Sequence, residues 1–94
     1  MPDLRPRILL VRRDNGNGYE VLFHLVESSA VMTELYDVAG RVVRSWAVEN
    51  FPAGTHRLTW DGRNQHGDEV PSGIYLLRLR CAGRQAVRKL LVVR

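Results

Sequence analysis

Cysteine is almost missing from this 94-residue chain. The single thiol, Cys81, excludes an internal disulfide and any zinc site built from several cysteines, so hydrophobic packing must hold the fold unaided. Long apolar runs are missing too, and none approaches the ~18 residues a membrane-crossing helix needs. The stretch Ile8-Leu9-Leu10-Val11 is too short for the apolar region of a secretory signal, and arginines flank it. If the domain acts outside the cytoplasm, its export signal is expected to be absent from this chain. Lysine occurs once, as Lys89, and the other basic residues are arginines spread along the whole sequence. There is no helical stripe to gather them and no aromatic-rich platform. The net charge of +4 therefore reads as solvated strand faces and not as a nucleic-acid site.

What is present is strand-like alternation bounded by turn chemistry. A hydrophobic fraction of 45% with 26% charge is the balance of a folded domain, and the length suits one immunoglobulin-like sandwich. Strands are expected at 7–12, 19–26, 31–36, 41–48, 55–60, 74–81 and 85–93. Val21, Phe23 and Leu25 share one face of the second, with His24 on the other. Tyr75, Leu77, Leu79 and Cys81 share one face of the sixth, opposite Arg78 and Arg80. The breaks are Asp14-Asn15-Gly16-Asn17-Gly18, Asp37-Val38-Ala39-Gly40, a longer connection over 49–54, a polar stretch over 61–73 with almost nothing apolar, and the hairpin Ala82-Gly83. Turns every ~8–12 residues predict an all-β chain, a single immunoglobulin-like antiparallel β-sandwich of about seven strands.

Leu35 to Tyr75 is the informative block. Asp37 is placed to bond the backbone amides of its turn, and Gly40 to supply a positive φ. Trp60, with Leu58 on the same face, is a core plug where its strand leaves the sandwich. Asp61-Gly62 opens the polar loop as an Asx-type turn, Gly67 offers a second left-handed position, and Pro71-Ser72-Gly73 leads into the next strand. Tyr75 is expected to send its hydroxyl to a loop carbonyl, as in a tyrosine corner.

Chemistry is not signalled. Asp61, Asn64, Asp68 and Glu69 are oxygen-rich, but Arg63 and Gln65 stand where an EF-hand-type loop needs ligands. His24, His56 and His66 fall in three different elements, with no spacing that brings two of them to a carboxylate. Cys81 reads as a small buried hydrophobe. Ser28, Ser29, Ser45 and Ser72 lack a nucleophile context, since Gly-x-Ser-x-Gly is absent. Trp46 and Phe51 read as core beneath the 49–54 connection. No catalytic residue, metal, cofactor, small-molecule substrate or nucleic-acid partner is expected.

The spaced motifs Tyr36-Asp37-x-x-Gly40-Arg41-x-Val43, Ala53-Gly54-x-His56, Trp60-Asp61-Gly62-x-x-x-x-Gly67 and Ser72-Gly73-Ile74-Tyr75 resemble the FlgD-like Ig domain. They are also similar to its relative, the C-terminal sorting domain of type IX secretion cargo. The resemblance covers roughly 19–94, leaving 1–18 as an extra N-terminal strand and an Asn/Gly turn. It makes Asp37, Gly40, Trp60, Asp61, Gly62, Gly67, Gly73 and Tyr75 the structural motif. The basic final strand resembles the ending of sorting domains, which implies recognition through Lys89 and Arg94 by an outer-membrane translocon. It also implies an extracytoplasmic setting, from periplasm to cell surface. At the other end the chain departs from that pattern, because Asp14 to Gly18 replaces the usual Asn-Pro segment. This opens a second reading, a structural module for assembly, adhesion or filament formation. In it the strand Ile8, Leu9, Leu10, Val11 pairs with the sheet edge of a neighbouring or identical domain.

Overall fold

The computed structural model describes residues 3–14, 16 and 18–94. Seven strands follow one another: β1 (Arg7–Arg13), β2 (Tyr19–Leu25), β3 (Ser29–Asp37), β4 (Val42–Phe51), β5 (Gly54–Trp60), β6 (Gly73–Cys81) and β7 (Arg84–Val92). They form two antiparallel sheets, ordered β1-β2-β5 and β4-β3-β6-β7. The architecture is the expected all-β sandwich.

Period-two alternation places the core side chains directly. Tyr19, Val21, Phe23 and Leu25 are buried along β2, and Tyr75, Leu77, Leu79 and Cys81 along β6, because successive residues of a strand point to opposite faces. The interior has two parts. One gathers around Tyr19, Trp60 and Tyr75, the other around Phe23, Val31 and Leu79. Tyr19 stacks on Trp60 with ring centroids 5.4 Å apart. Phe51 meets Phe23 edge-on at 5.3 Å, and Trp46 packs on the first cluster, so both residues serve the core.

Three expectations need correction. The 49–54 connection is not a loop: β4 runs through Phe51 and β5 begins at Gly54, which leaves Pro52 and Ala53 as the turn. The polar stretch does carry a core residue, because Val70 is 3% exposed and belongs to the Tyr19–Trp60 cluster. A lone valine among polar residues shows no periodicity, so alternation could not find it. Strict alternation also fails in β1. Pairing advances from Ile8↔Phe23 to Leu10↔Leu22, so β1 carries an extra residue at that point. This β-bulge puts Ile8 and Val11, three positions apart, on the core side and leaves Leu9 45% exposed.

β1 pairs along its length with β2, within the chain's own sheet. In the Asp14–Gly18 turn, Asn15 and Asn17 lie outside the described residues. Asp14 accepts from the Gly16 and Gly18 amides through its carboxylate, and its own amide donates to the Gly18 carbonyl.

Candidate functional site

The motif residues converge at one end of the sandwich. In the β3–β4 turn, Asp37 Oδ1 accepts from the Ala39 and Arg41 amides at 3.0 Å each, and Gly40 adopts φ +83°. These amide bonds, the Arg41 one foremost, hold the Asp37 carboxyl below its ordinary pKa.

The 61–73 loop is closed by its own donors. Trp60 Nε1 donates to the Arg63 carbonyl at 2.8 Å, and Asp61 Oδ1 accepts from the Arg63 amide at 3.0 Å and from Arg44 Nη1 at 2.9 Å. Asn64 Oδ1 accepts from the His66 and Asp68 amides, and the Gly67 carbonyl takes a bond from Arg63 Nη1. Gly62 and Gly67 both adopt positive φ, at +77° and +87°. The Tyr75 hydroxyl donates to the Pro71 carbonyl at 2.7 Å, the expected corner bond. The Asp61 and Asn64 side-chain oxygens thus face amide and guanidinium donors. Among the described residues no group of three His, Cys, Asp or Glu side chains is arranged to hold a metal.

Arg94 completes this loop. Its Nη2 donates to the Gly62 carbonyl at 2.6 Å and its Nε to the Val70 carbonyl, while its amide donates to Ser72 Oγ at 2.9 Å. Glu69 Oε2 lies 3.7 Å from the same guanidinium, and the side chain is only 23% exposed. Lys89 points elsewhere, standing on the outer face of β7 opposite Leu76. The structure therefore does not bring Lys89 and Arg94 together. It does bring β7 beside β1, where Arg88 Nη1 donates to the Ile8 carbonyl at 3.1 Å.

Between the 37–41 turn and the 64–73 loop lies an open cleft of about 480 Å³ with Val38, Val42 and Ile74 at its lips. The three histidines stay apart. His24 bonds Thr55 Oγ1, His56 bonds the Pro52 carbonyl, and His66 sits in the loop. Cys81 is buried and free.

Two arrangements carried no clear sequence signal. On the outer face of the four-stranded sheet, Glu34 Oε1 accepts from Arg78 Nη2 and from the Tyr36 hydroxyl, each at 2.8 Å. The Arg78 guanidinium also bonds the Tyr36 hydroxyl and covers its ring at 4.9 Å. The Arg78 bond first, then Tyr36, holds the Glu34 carboxyl below its ordinary pKa. The second arrangement is a cap on the edge of β4. The Gln65 amide donates to the Val43 carbonyl at 3.0 Å, and its side-chain oxygen accepts from the Ser45 amide at 2.9 Å.

A family model described as the FlgD Ig-like domain matches residues 15–83. Over 45 residues the chain is 42% identical to the basal-body rod modification protein FlgD of Salmonella typhimurium, and equally to that of Salmonella typhi. That segment is 48% of this chain and 19% of each relative's length. Among solved structures, dimeric latent PorU of Porphyromonas gingivalis superposes with a TM-score of 0.71 and 20% identity, covering 94% of this chain and 9% of that one. FlgD of P. aeruginosa gives 0.66 and 23%, covering 93% and 66%. PorZ of P. gingivalis, described as an essential surface component of the type-IX secretion system, gives 0.53 and 19%, covering 79% and 9%. At these identities the structures share a fold with the chain. β1 and β7, which meet at one side of the sandwich, both lie outside the matched 15–83 segment.

Proposed function

The chain belongs to the FlgD Ig-like domain family, and from that premise we propose that it is a non-catalytic docking module that sorts or anchors a larger protein at the cell envelope. In this reading a type IX secretion translocon recognises its folded surface and the basic strand β7. One observation carries the reading: the same sandwich recurs as 9% of PorZ, an essential surface component of that system. Its recurrence as 9% of PorU fits a module carried by a much larger chain. The polar groups of the motif support it as well, being engaged by the domain's own backbone and guanidinium groups, which suits a scaffold that presents a surface.

The test is a periplasm-directed reporter fused ahead of the complete 94-residue chain, since β1 completes one of the sheets. In a type IX-competent host the reporter is expected at the cell surface, and in a translocon-deficient strain in the periplasm. Periplasmic retention in both hosts overturns the proposal.

A second reading rests on the 42% identity to FlgD, a basal-body rod modification protein. On that basis the domain is a structural module whose partners are neighbouring or identical domains. Reversible polymers of the isolated chain that grow with concentration would favour it, whereas a monomer favours the sorting reading.

A further inference from the structure

We infer that the free edge of β7 receives an extended segment of a partner protein as a fifth strand of the β4-β3-β6-β7 sheet, the segment alternating apolar, acidic and apolar side chains against Val87, Lys89 and Leu91. This deepens the docking reading by naming its surface and the chemistry of its partner.

A sandwich of two open sheets has four edge strands, and each presents unpaired backbone groups that template strand addition. Three of the four are poor templates here. β4 changes register against β3 at two places, and Gln65 already occupies Val43 and Ser45. β1 is bulged near Leu9, and its Ile8 carbonyl is taken by Arg88. β5 is regular but exposes Thr55, Arg57 and Thr59, with no apolar anchor among them. β7 differs from all three. It pairs with β6 through nine consecutive positions without a shift. β1 lies beside it, held through Arg88 to the Ile8 carbonyl, but among the described residues neither β1 nor a loop bonds the backbone of 84–92.

The outward side chains of β7 specify the partner. Leu90 and Val92 are buried, so 87, 89 and 91 share the solvent face, where Val87 is 50% and Leu91 60% exposed. Leu91 is flanked on β6 by Ile74, and Lys89 by Leu76, both also exposed. An added strand meets its neighbour in cross-strand pairs, where apolar and opposite-charge partners stabilise and like charges oppose. Among the described residues no carboxylate lies within salt-bridge distance of Lys89. The groove between β7 and β1 is lined by Arg12, which is paired with Glu20, and by Arg13, Arg88 and Lys89, with no acid in the lining. This field favours an acidic segment. It also argues against a second copy: two-fold antiparallel pairing of β7 with itself, centred on Arg88 or on Lys89, sets that residue against its own counterpart.

The probe is the synthetic peptide Thr-Val-Thr-Glu-Thr-Val-Thr, titrated to millimolar concentration into the isotope-labelled 94-residue chain and followed by amide NMR. Amide shifts are expected along 84–92. The same peptide with Lys in place of Glu is expected to bind about fivefold more weakly, the effect of exchanging an attractive for a repulsive cross-strand pair. The exposed substitution Lys89→Glu is expected to invert that preference. Equal binding of the two peptides, binding of neither, shifts centred on β4 or β5, or a β7-paired dimer of the chain alone would each overturn the inference. The titration needs no translocon. A retained reporter with intact peptide selectivity removes the sorting reading alone, and lost selectivity with an exported reporter removes the strand-addition site alone.

Discussion

Arg94 and Gly62 stand 32 residues apart, and the guanidinium of the first donates to the carbonyl of the second at 2.6 Å. The same fork reaches Val70, so one side chain ties the region after β7 to both ends of the motif loop. Charge-assisted bonds of this kind contribute more than neutral ones. Arg94→Ala is expected to cost about 2 kcal/mol of stability in urea unfolding. Arg94→Lys should recover only part of this, because an ammonium lacks the planar fork. An Arg94→Ala chain as stable as the parent would show that this arginine is not a structural closure.

Val70 seals the loop from beneath. Removing its two methyl groups leaves a void in the cluster it shares with Trp60 and Tyr75, with an expected loss of about 2 kcal/mol for Val70→Ala. Val38, 77% exposed at the cleft lip, is the control. Val38→Ala should change stability by less than about 0.5 kcal/mol. Thermal unfolding of both variants compares them directly.

Gln65 protects an edge. Without its side-chain oxygen the Ser45 amide loses its partner and the first half of β4 is opened to other strands. Gln65→Ala should speed hydrogen exchange at Ser45 and promote self-association at high concentration, seen by sedimentation. Exchange at Ser45 unchanged from the parent would show that the cap contributes nothing.

Glu34 makes stability pH-dependent in a defined direction. Its folded pKa lies below the unfolded value, so its contribution is complete above that value and is lost as pH falls through the folded one. Partial exposure and screening limit it to about 1 kcal/mol. Glu34→Gln should therefore be less stable than the parent at neutral pH, and the gap should close as pH drops below 4.5, the ordinary value for this carboxyl. A gap that persists unchanged to pH 3 would mean that Arg78 and Tyr36 do not act through the carboxylate charge.

The sandwich, the buried faces of β2 and β6, the Asp37–Gly40 turn, the Trp60 plug and the Tyr75 corner bond were legible in the sequence alone. Each depends on near neighbours: alternation of period two, turn residues that tolerate positive φ, or a tyrosine four residues from the carbonyl it reaches. Tertiary structure alone decided the rest. The bulge that turns both Ile8 and Val11 inward reflects how β1 must fit β2, the recruitment of Val70 depends on how the loop folds over Trp60, and the Gln65 cap depends on where the loop passes β4. The Arg94 closure spans 32 residues. No local pattern encodes a contact whose partners meet only once two sheets have packed, and that is why Arg94 reads in sequence as a recognition residue while in the fold its guanidinium is bonded to the Gly62 and Val70 carbonyls.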